Sequence, residues 1–133
     1  MRAIMVAALS TLGLGALVLL GSCETMSADE CVGANWGLIG MQDGQAGATM
    51  DKFAGREKAC TKNGITPDMA AYRRGRDEGL KSFCVPQSGW DAGLRGYTYA
   101  GVCPPALEAG FMDGYRDGSF AYKAKQAVSS AQS

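Results

Sequence analysis

Histidine is absent from this chain of 133 residues. Histidine is the side chain that most often moves protons near neutral pH, and it is also the commonest metal ligand. Its absence excludes Ser-His-Asp and Cys-His catalysis, haem attachment through Cys-x-x-Cys-His, and most zinc sites. We therefore expect the protein to have no cofactor and no bound metal.

An excess of charge of either sign is also lacking, since 13 Lys and Arg residues balance 13 Asp and Glu residues. Proteins bind nucleic acid mainly by neutralising its phosphates with a concentrated basic surface. The composition therefore predicts no nucleic-acid partner, and the length allows one small domain.

The first 22 residues have the pattern of an export signal, with Arg2 followed by an uncharged run over residues 3–20. Residues 20–23 read Leu-Gly-Ser-Cys and resemble the lipobox of bacterial lipoproteins, in which the cysteine becomes the mature N-terminus. The resemblance implies a diacylglyceryl group on the sulfur of Cys23, and usually an acyl chain such as palmitate on its amine. An uncleaved transmembrane anchor and an ordinary signal peptide are the alternatives.

Two or more acyl chains would hold the protein firmly on a membrane. In lipoproteins generally, Asp after the lipidated cysteine favours the inner membrane. Glu24 stands at that position, so we predict the periplasmic face of the outer membrane. We interpret residues 23–29 as a lipidated tether, residues 30–125 as the folded domain and residues 126–133 as a disordered tail.

Helix signals predict a mainly α fold, a small disulfide-stapled bundle of about four short helices. Ser27 and Glu30 have capping-box spacing and start a first helix that runs to about residues 44–47. A second helix over residues 50–62 stops at Asn63-Gly64, and a third runs from an N-cap at Thr66 to about Phe83. Residues 85–101 are interpreted as a turn-rich loop, with a short hairpin as an option, before a last helix from residues 104–105 to about residue 125.

Four cysteines remain after Cys23, and an even number in a small exported domain indicates two disulfides. A metal site fits poorly because no Cys-x-x-Cys pair occurs. Four cysteines allow three pairings. An antiparallel arrangement of the first two predicted helices, and closure of the turn-rich loop, favour Cys31–Cys60 and Cys84–Cys103.

Glycine is abundant, with 19 copies, and it is regularly spaced. Such spacing places the residues on one stripe of a helix. Because an interior glycine costs a helix roughly 1 kcal/mol relative to alanine, a row of glycines indicates close helix packing. A membrane-inserting glycine motif is the alternative, but the uncharged stretches of the mature chain are too short for it. The stripes are Tyr72-Gly75-Gly79-Phe83, Phe111-Gly114-Gly118-Tyr122 and Gly33-Gly37-Gly40-Gly44-Gly47.

Two groups of side chains are candidates for an interaction surface. Aromatic residues could form a platform for glycans or peptides, and an arginine cluster could contact anionic headgroups or peptidoglycan carboxylates instead of being a solvated helix face. The aromatic candidates are Trp36, Tyr72, Trp90, Tyr97 and Tyr99, and the basic candidates are Arg73, Arg74 and Arg76.

Several carboxylates could in principle form the acid pair of a glycosidase. Most of them stand at helix starts or beside arginines, where capping and surface pairing explain them. We therefore do not predict an enzyme. The candidates are Asp43, Asp68, Asp77, Asp113 and Asp117.

The ordered series of cysteine, glycine and aromatic positions resembles a family of small bacterial lipoproteins of uncharacterised role, domain of unknown function 2799. The shared positions are Cys31, Asn35-Trp36, Gly40, Asp43-Gly44, Gly47, Cys60, Gly64, Tyr72, Gly75-Arg76, Gly79-Leu80, Phe83-Cys84, Gly89-Trp90, Gly93, Gly96, Tyr99, Val102-Cys103-Pro104, Phe111, Gly114-Tyr115 and Gly118. The resemblance implies an envelope lipoprotein and supplies no activity or ligand.

The sequence thus predicts a lipid-anchored, non-enzymatic module that acts through contact with another envelope protein or with peptidoglycan. An inhibitor or accessory subunit of an envelope enzyme is one alternative. A cell-wall hydrolase that uses paired carboxylates is another.

Overall fold

The computed structural model describes residues 26–133. The predicted signal peptide of residues 1–22 and the predicted lipidation of Cys23 lie outside the described residues. The regular structure of the described part is helical, which confirms the mainly α prediction, although it has six helices where about four were expected. They are α1 (Ala28–Val32), α2 (Trp36–Gln45), α3 (Asp51–Thr61), α4 (Met69–Phe83), α5 (Pro86–Leu94) and α6 (Pro105–Ala131).

The first predicted helix is in fact two helices. The capping box at its start is present, with the Ser27 N–H donating to the Glu30 carboxylate at 2.7 Å and the Glu30 N–H donating to Ser27 Oγ at 3.3 Å. However, α1 ends at Val32, and α2 begins after Asn35, whose side chain accepts from the Leu38 N–H at 3.0 Å. The single-helix prediction was wrong because it overlooked Asn35 as an N-cap.

The next two helices lie close to their predicted ranges. α3 is followed by Gly64 with φ +72°, as the Asn-Gly pair indicated. The predicted N-cap of α4 was wrong, because Asp68 rather than Thr66 accepts from the N–H of Ala71, at 2.8 Å.

The chain after α4 departs most from the prediction. Residues 86–94, interpreted as loop, form α5 with proline in its first turn. Only the following residues, 95–104, form an irregular connection. The last helix continues beyond the expected end near residue 125, so residues 126–131 of the predicted disordered tail are helical.

The helices form two similar units, residues 26–83 and residues 84–133. In the first unit α2 packs across α4, and in the second α5 packs across α6. A methyl group added to Gly40 would collide with the carbonyl oxygen of Tyr72, and one added to Gly89 would collide with that of Phe111. The prediction that the glycine stripes mark close helix packing is therefore confirmed, except at Gly33, which follows α1 and faces no other helix.

The correspondence between the two units extends along both crossings. The backbone carbonyl that each glycine faces lies at the matching position of the matching helix. In the first unit the pairs are Gly44 with Arg76, Gly75 with Gly37 and Gly79 with Met41, and in the second they are Gly93 with Tyr115, Gly114 with Pro86 and Gly118 with Trp90. In each unit the first crossing helix, α2 or α5, ends against an aromatic ring of the second crossing helix, α4 or α6. Gly47 lies against Phe83 and Gly96 against Tyr122.

Each unit carries one disulfide, and the pairing is the predicted one. Cys31–Cys60 and Cys84–Cys103 each have a Cα–Cα distance of 5.6 Å. In both units the bond joins the chain before the first crossing helix to the chain before the second. With sequence separations of 29 and 19, each contributes about 3–4 kcal/mol on the loop-entropy model.

Two apolar clusters follow the same division. The first contains Trp36, Phe53 and Tyr72 around Cys31–Cys60. The second surrounds Cys84–Cys103 and Phe111, and it also includes Leu80 from α4, so the two clusters are joined through that helix. Within residues 26–133, no helix combines the length and the apolar character needed to cross a membrane.

Candidate functional site

The interior of the first unit contains a polar cluster between α2, α3 and α4. Asp43 is buried, Arg56 forms an ion pair with it through both terminal nitrogens, and the Tyr72 hydroxyl donates to Asp43 Oδ2 at 2.8 Å. The polar atoms that this carboxylate presents to the protein interior are therefore hydrogen-bonded, as a buried charge requires.

The ionisation of this cluster is stable near neutral pH. Burial by itself would raise the pKa of Asp43, but the hydrogen bonds from Arg56 and Tyr72 outweigh it and hold that pKa below its ordinary value. The hydrogen bond to Asp43 raises the pKa of Arg56. Burial, followed by the hydrogen bond to Asp43, raises the pKa of Tyr72 to about 12. A carboxylate, a guanidinium and a neutral phenol suit a structural role better than proton transfer.

The other candidate carboxylates have different structural positions. Asp68 caps α4, while Asp77 and Asp117 are exposed on α4 and α6. Arg116 pairs with Asp113 rather than with its neighbour Asp117. No group of three or more Cys, Asp or Glu side chains is arranged to hold a metal ion within the described part of the chain.

Trp36 and Tyr72 do not belong to an interaction surface. Their exposed fractions are 7% and 0%. The Phe53 ring lies between them, with centroid distances of 6.0 Å to Trp36 and 4.7 Å to Tyr72. Their assignment to an aromatic platform is corrected because tertiary packing places both rings in the first apolar cluster.

The three remaining aromatic candidates come from the second unit. Trp90 is 36% exposed and Tyr97 is 60% exposed. Tyr99 is partly buried, because its ring lies 4.7 Å from that of Phe111 and its hydroxyl accepts from the Cys103 N–H at 2.9 Å and donates to Glu108 at 3.0 Å. Burial, and further the hydrogen bond to Glu108, raises the pKa of Tyr99.

The predicted arginine cluster is divided between surface and interior. Arg73 and Arg74 are exposed on α4. Arg76 is half-buried and donates to the carbonyl oxygen of Ala48 at 2.8 Å, which holds the chain after α2 against α4. Two basic side chains, rather than three, are therefore available on this face.

A cleft of about 350 Å³ opens between the two units. Its floor is apolar and includes Phe83, Ala92 and Phe111. The Phe83 and Phe111 rings stack there with a centroid distance of 5.3 Å. This volume is near the lower end of the range of roughly 300–1000 Å³ that is usual for ligand pockets.

One wall of the cleft is a segment without regular secondary structure, residues 97–100. The Tyr115 hydroxyl donates to the Tyr97 carbonyl oxygen at 2.8 Å and the Tyr99 side chain is anchored as described, so the segment is held at both ends. The backbone N–H groups of residues 98–102 nevertheless donate no hydrogen bond to any residue in the range 26–133.

The rim of the cleft carries charge. Asp91 and Arg95 stand one helical turn apart at the end of α5 and both line the cleft. Gln87 donates to Asp91 at 3.1 Å, whereas the Arg95 guanidinium makes no hydrogen bond or ion pair with the described residues. The site thus combines an apolar floor with backbone donors and a cation that have no partner among residues 26–133.

Sequence reasoning identified Tyr97 and Tyr99 in this cleft but missed Ala92, Asp91 and Arg95. They were missed because residues 85–101 were interpreted as a loop. A usable signal was present, since the spacing of Gly89, Gly93 and Gly96 repeats that of Gly40, Gly44 and Gly47, and Pro86 suits a first helical turn.

Comparison with known families assigns the chain. A family model described as a protein of unknown function, DUF2799, matches residues 35–120. The chain belongs to this family. The match begins at the N-cap of α2 and ends within α6, so it spans both helix crossings and the cleft. No curated protein and no solved structure gives a significant match to the chain.

Proposed function

We propose that this DUF2799 protein is a lipid-anchored, non-enzymatic interaction module at the periplasmic face of the outer membrane. The observation that carries the proposal is the cleft between the two units, where apolar surface, unpaired backbone donors and the Arg95 guanidinium lie together. Such a combination is typical of recognition surfaces, because unpaired polar groups beside apolar surface gain most from a partner.

The Leu-Gly-Ser-Cys run supports the lipid anchor. Met26 is only 8% exposed and packs in the first apolar cluster, so the folded domain begins three residues after Cys23. A fully extended chain covers at most about 3.6 Å per residue, so Met26 would lie within roughly 11 Å of the lipidated residue. The cleft would then act close to the membrane surface.

The engaged side chains of the first unit support a non-enzymatic role. Asp43 is neutralised by Arg56 and hydrogen-bonded by Tyr72. A catalytic acid would need a pKa close to the working pH, and the pKa of Asp43 is shifted in the opposite direction. A cell-wall hydrolase therefore has less support than a binding module. The inhibitor or accessory alternative uses the same cleft, occupied by a segment of an envelope enzyme.

Lipidation is tested by metabolic labelling with an alkyne analogue of palmitate, followed by mass spectrometry of the mature protein. We expect label on the wild-type chain and none on Cys23→Ser. Ser22→Ala is the matched control, because it keeps a small residue before the cysteine and should be labelled normally. An unmodified Cys23 in the wild-type protein would refute the anchor.

The contact surface is tested by photo-crosslinking in intact cells. Thr98, in the cleft wall, is replaced by p-benzoylphenylalanine, and the control places the same residue at Lys125, exposed on α6. We expect discrete adducts from position 98 that are absent from position 125. The same adducts from both positions, or none from position 98, would contradict the assignment of the cleft as the contact surface.

A further inference from the structure

We infer that the cleft between the two units binds the free carboxyl-terminal end of an extended polypeptide. This inference rests on the proposed function, in that it names the occupant of the same cleft. The ligand's backbone would accept hydrogen bonds from N–H groups of residues 98–102, and its terminal carboxylate would bind Arg95. Its last side chain, large and apolar, would cover the floor formed by Phe83, Ala92 and Phe111.

The backbone of the cleft wall is the first reason. A chain segment whose N–H groups have no partner can donate them to the carbonyl oxygens of an extended chain that lies beside it. Residues 97–100 lie outside regular secondary structure and line the cleft, and the N–H groups of residues 98–102 donate to nothing in the described part of the protein. Anchoring of Tyr97 and Tyr99 fixes the segment before a ligand arrives, which lowers the entropy lost on binding.

The charges on the rim are the second reason. A guanidinium presents parallel N–H donors that match a carboxylate, and Arg95 has no acidic partner among the described residues. Asp91, on the same rim, would repel a ligand with several negative charges but would accept a hydrogen bond from an N–H group. The C-terminal end of a peptide carries one carboxylate next to an amide N–H. The carboxylate would bind Arg95, and the N–H would donate to Asp91.

The floor is the third reason. The position that holds Asp43 in the first unit holds Ala92 in the second, and the Tyr72 hydroxyl has no counterpart on Phe111. The first unit fills its own interior with Arg56 from α3, whereas the connection of residues 95–104 in the second unit contains no helix. The apolar last side chain of a bound peptide would cover the exposed part of this floor and so remove it from water.

The test uses the full chain purified in detergent and a pool of random heptapeptides with free C-termini, beside the same pool with amidated C-termini. Bound peptides are identified by mass spectrometry. We expect enrichment from the free-acid pool of peptides that end in a large apolar residue, with at least about tenfold weaker binding of their amidated forms. In amide NMR spectra, the N–H signals of residues 98–102 should shift when a selected peptide is added.

Two exposed arginines provide a matched pair of variants. Arg95→Gln should abolish the preference for the free carboxylate, whereas Arg74→Gln, on α4 outside the cleft, should retain it. Ala92→Leu should lower the affinity for all selected peptides by filling the floor. Equal binding of acid and amide forms, or an unchanged preference in Arg95→Gln, would overturn the inference.

A second probe separates failure of the inference from failure of the proposed function. Chitotetraose, an oligomer of N-acetylglucosamine, is added to the same labelled protein. If no peptide is enriched and chitotetraose shifts the signals of residues 98–102, the peptide inference is wrong and the cleft remains a contact surface for cell-wall glycan. If neither probe shifts them and position 98 forms no crosslink in cells, both proposals are wrong.

Discussion

The two units of the protein share one helix crossing and differ in what lies beside it. In the first unit the connection between the crossing helices contains α3, which supplies Phe53 and Arg56 to the interior. In the second unit the connection of residues 95–104 supplies Tyr99, whose ring lies 4.7 Å from Phe111, the same distance that separates Phe53 and Tyr72. Both units therefore cover the crossing with an aromatic ring, but only the first fills the space next to it with a charged side chain.

Under the proposed function, this difference gives the first unit a structural task and the second unit a binding task. The first unit closes its interior with the Asp43–Arg56–Tyr72 cluster and holds Met26, next to the predicted anchor. In the second unit Ala92 stands at the position of Asp43, and Phe111 stands at the position of Tyr72. A cleft lies there, at the boundary between the units. Both arrangements occur beside the same kind of crossing, in which glycines lie against backbone carbonyls of the facing helix.

The largest effect is expected where a glycine lies against the backbone of the neighbouring helix. In Gly114→Ala the new methyl group would collide with the carbonyl of Pro86, so α5 and α6 must separate, and we expect a loss of about 3–4 kcal/mol in the free energy of unfolding. Gly75→Ala should cost the first unit a similar amount, since its methyl would meet the carbonyl of Gly37. Urea denaturation followed by circular dichroism measures both.

Gly110→Ala is the control in the same helix. A methyl group there would meet Pro86 side-chain atoms at 3.7 and 3.8 Å, an ordinary contact distance. We expect it to leave stability unchanged or raise it by up to about 1 kcal/mol, through helix propensity. A loss in Gly110→Ala as large as that in Gly114→Ala would show that the crossing is not the cause.

Removal of a disulfide should cost a similar amount, or slightly less for the shorter loop. Loop closure predicts a loss of about 3–4 kcal/mol for Cys31→Ala/Cys60→Ala and about 3 kcal/mol for Cys84→Ala/Cys103→Ala. The two variants should differ in binding, however, because only Cys84–Cys103 holds the connection that forms the cleft wall. Thermal unfolding and crosslinking from position 98 measure the two effects. If both variants lose crosslinking equally, the cleft does not depend on Cys84–Cys103 more than on Cys31–Cys60.

Disruption of the polar cluster in the first unit should lower stability by a smaller amount, and further substitutions should restore most of it. Asp43→Ala leaves Arg56 and the Tyr72 hydroxyl without their partner. Because the Arg56 side chain is 18% exposed, we expect a cost of about 2–3 kcal/mol, below that of breaking a fully buried pair. The variant Asp43→Ala/Arg56→Met/Tyr72→Phe makes the cluster apolar, as in the second unit, and should recover most of that loss. Chemical denaturation measures both variants. If the triple variant is less stable than Asp43→Ala, the cluster contributes more than the pairing of its charges.

The smallest effect is the pH dependence of the same cluster. The folded state raises the pKa of Tyr72 to about 12 from 10.0, so it favours the protonated phenol. The stability from this group is fully present below pH 10 and is lost as the pH rises towards 12. We expect wild type to lose about 1–2 kcal/mol more than Tyr72→Phe over this interval. Denaturation at pH 9 and pH 11.5 measures the difference, and identical losses would contradict the assignment of the shift to Tyr72.

At the acid end the sign is reversed. Hydrogen bonds hold the pKa of Asp43 below its ordinary value of 3.8, so its contribution is present above that pH and is lost as the pH falls through the lower, folded-state pKa. The second unit has alanine at the corresponding position and should show no such loss. Acid titration of wild type and of the triple variant, followed by NMR signals from each unit, should therefore show selective loosening of the first unit in wild type alone.

Local sequence patterns determined the helical class, both disulfide pairs and the glycine stripes of this DUF2799 protein. They did so because caps, helix spacing and cysteine spacing act over short distances along the chain. Tertiary structure alone decided that Trp36 and Tyr72 are core residues, since helix faces acquire their environment only when another element packs on them. It also decided the cleft, because the space beside Ala92 exists only where α4 of one unit meets α5 of the next, and no local pattern specifies a contact between residues so far apart in the chain.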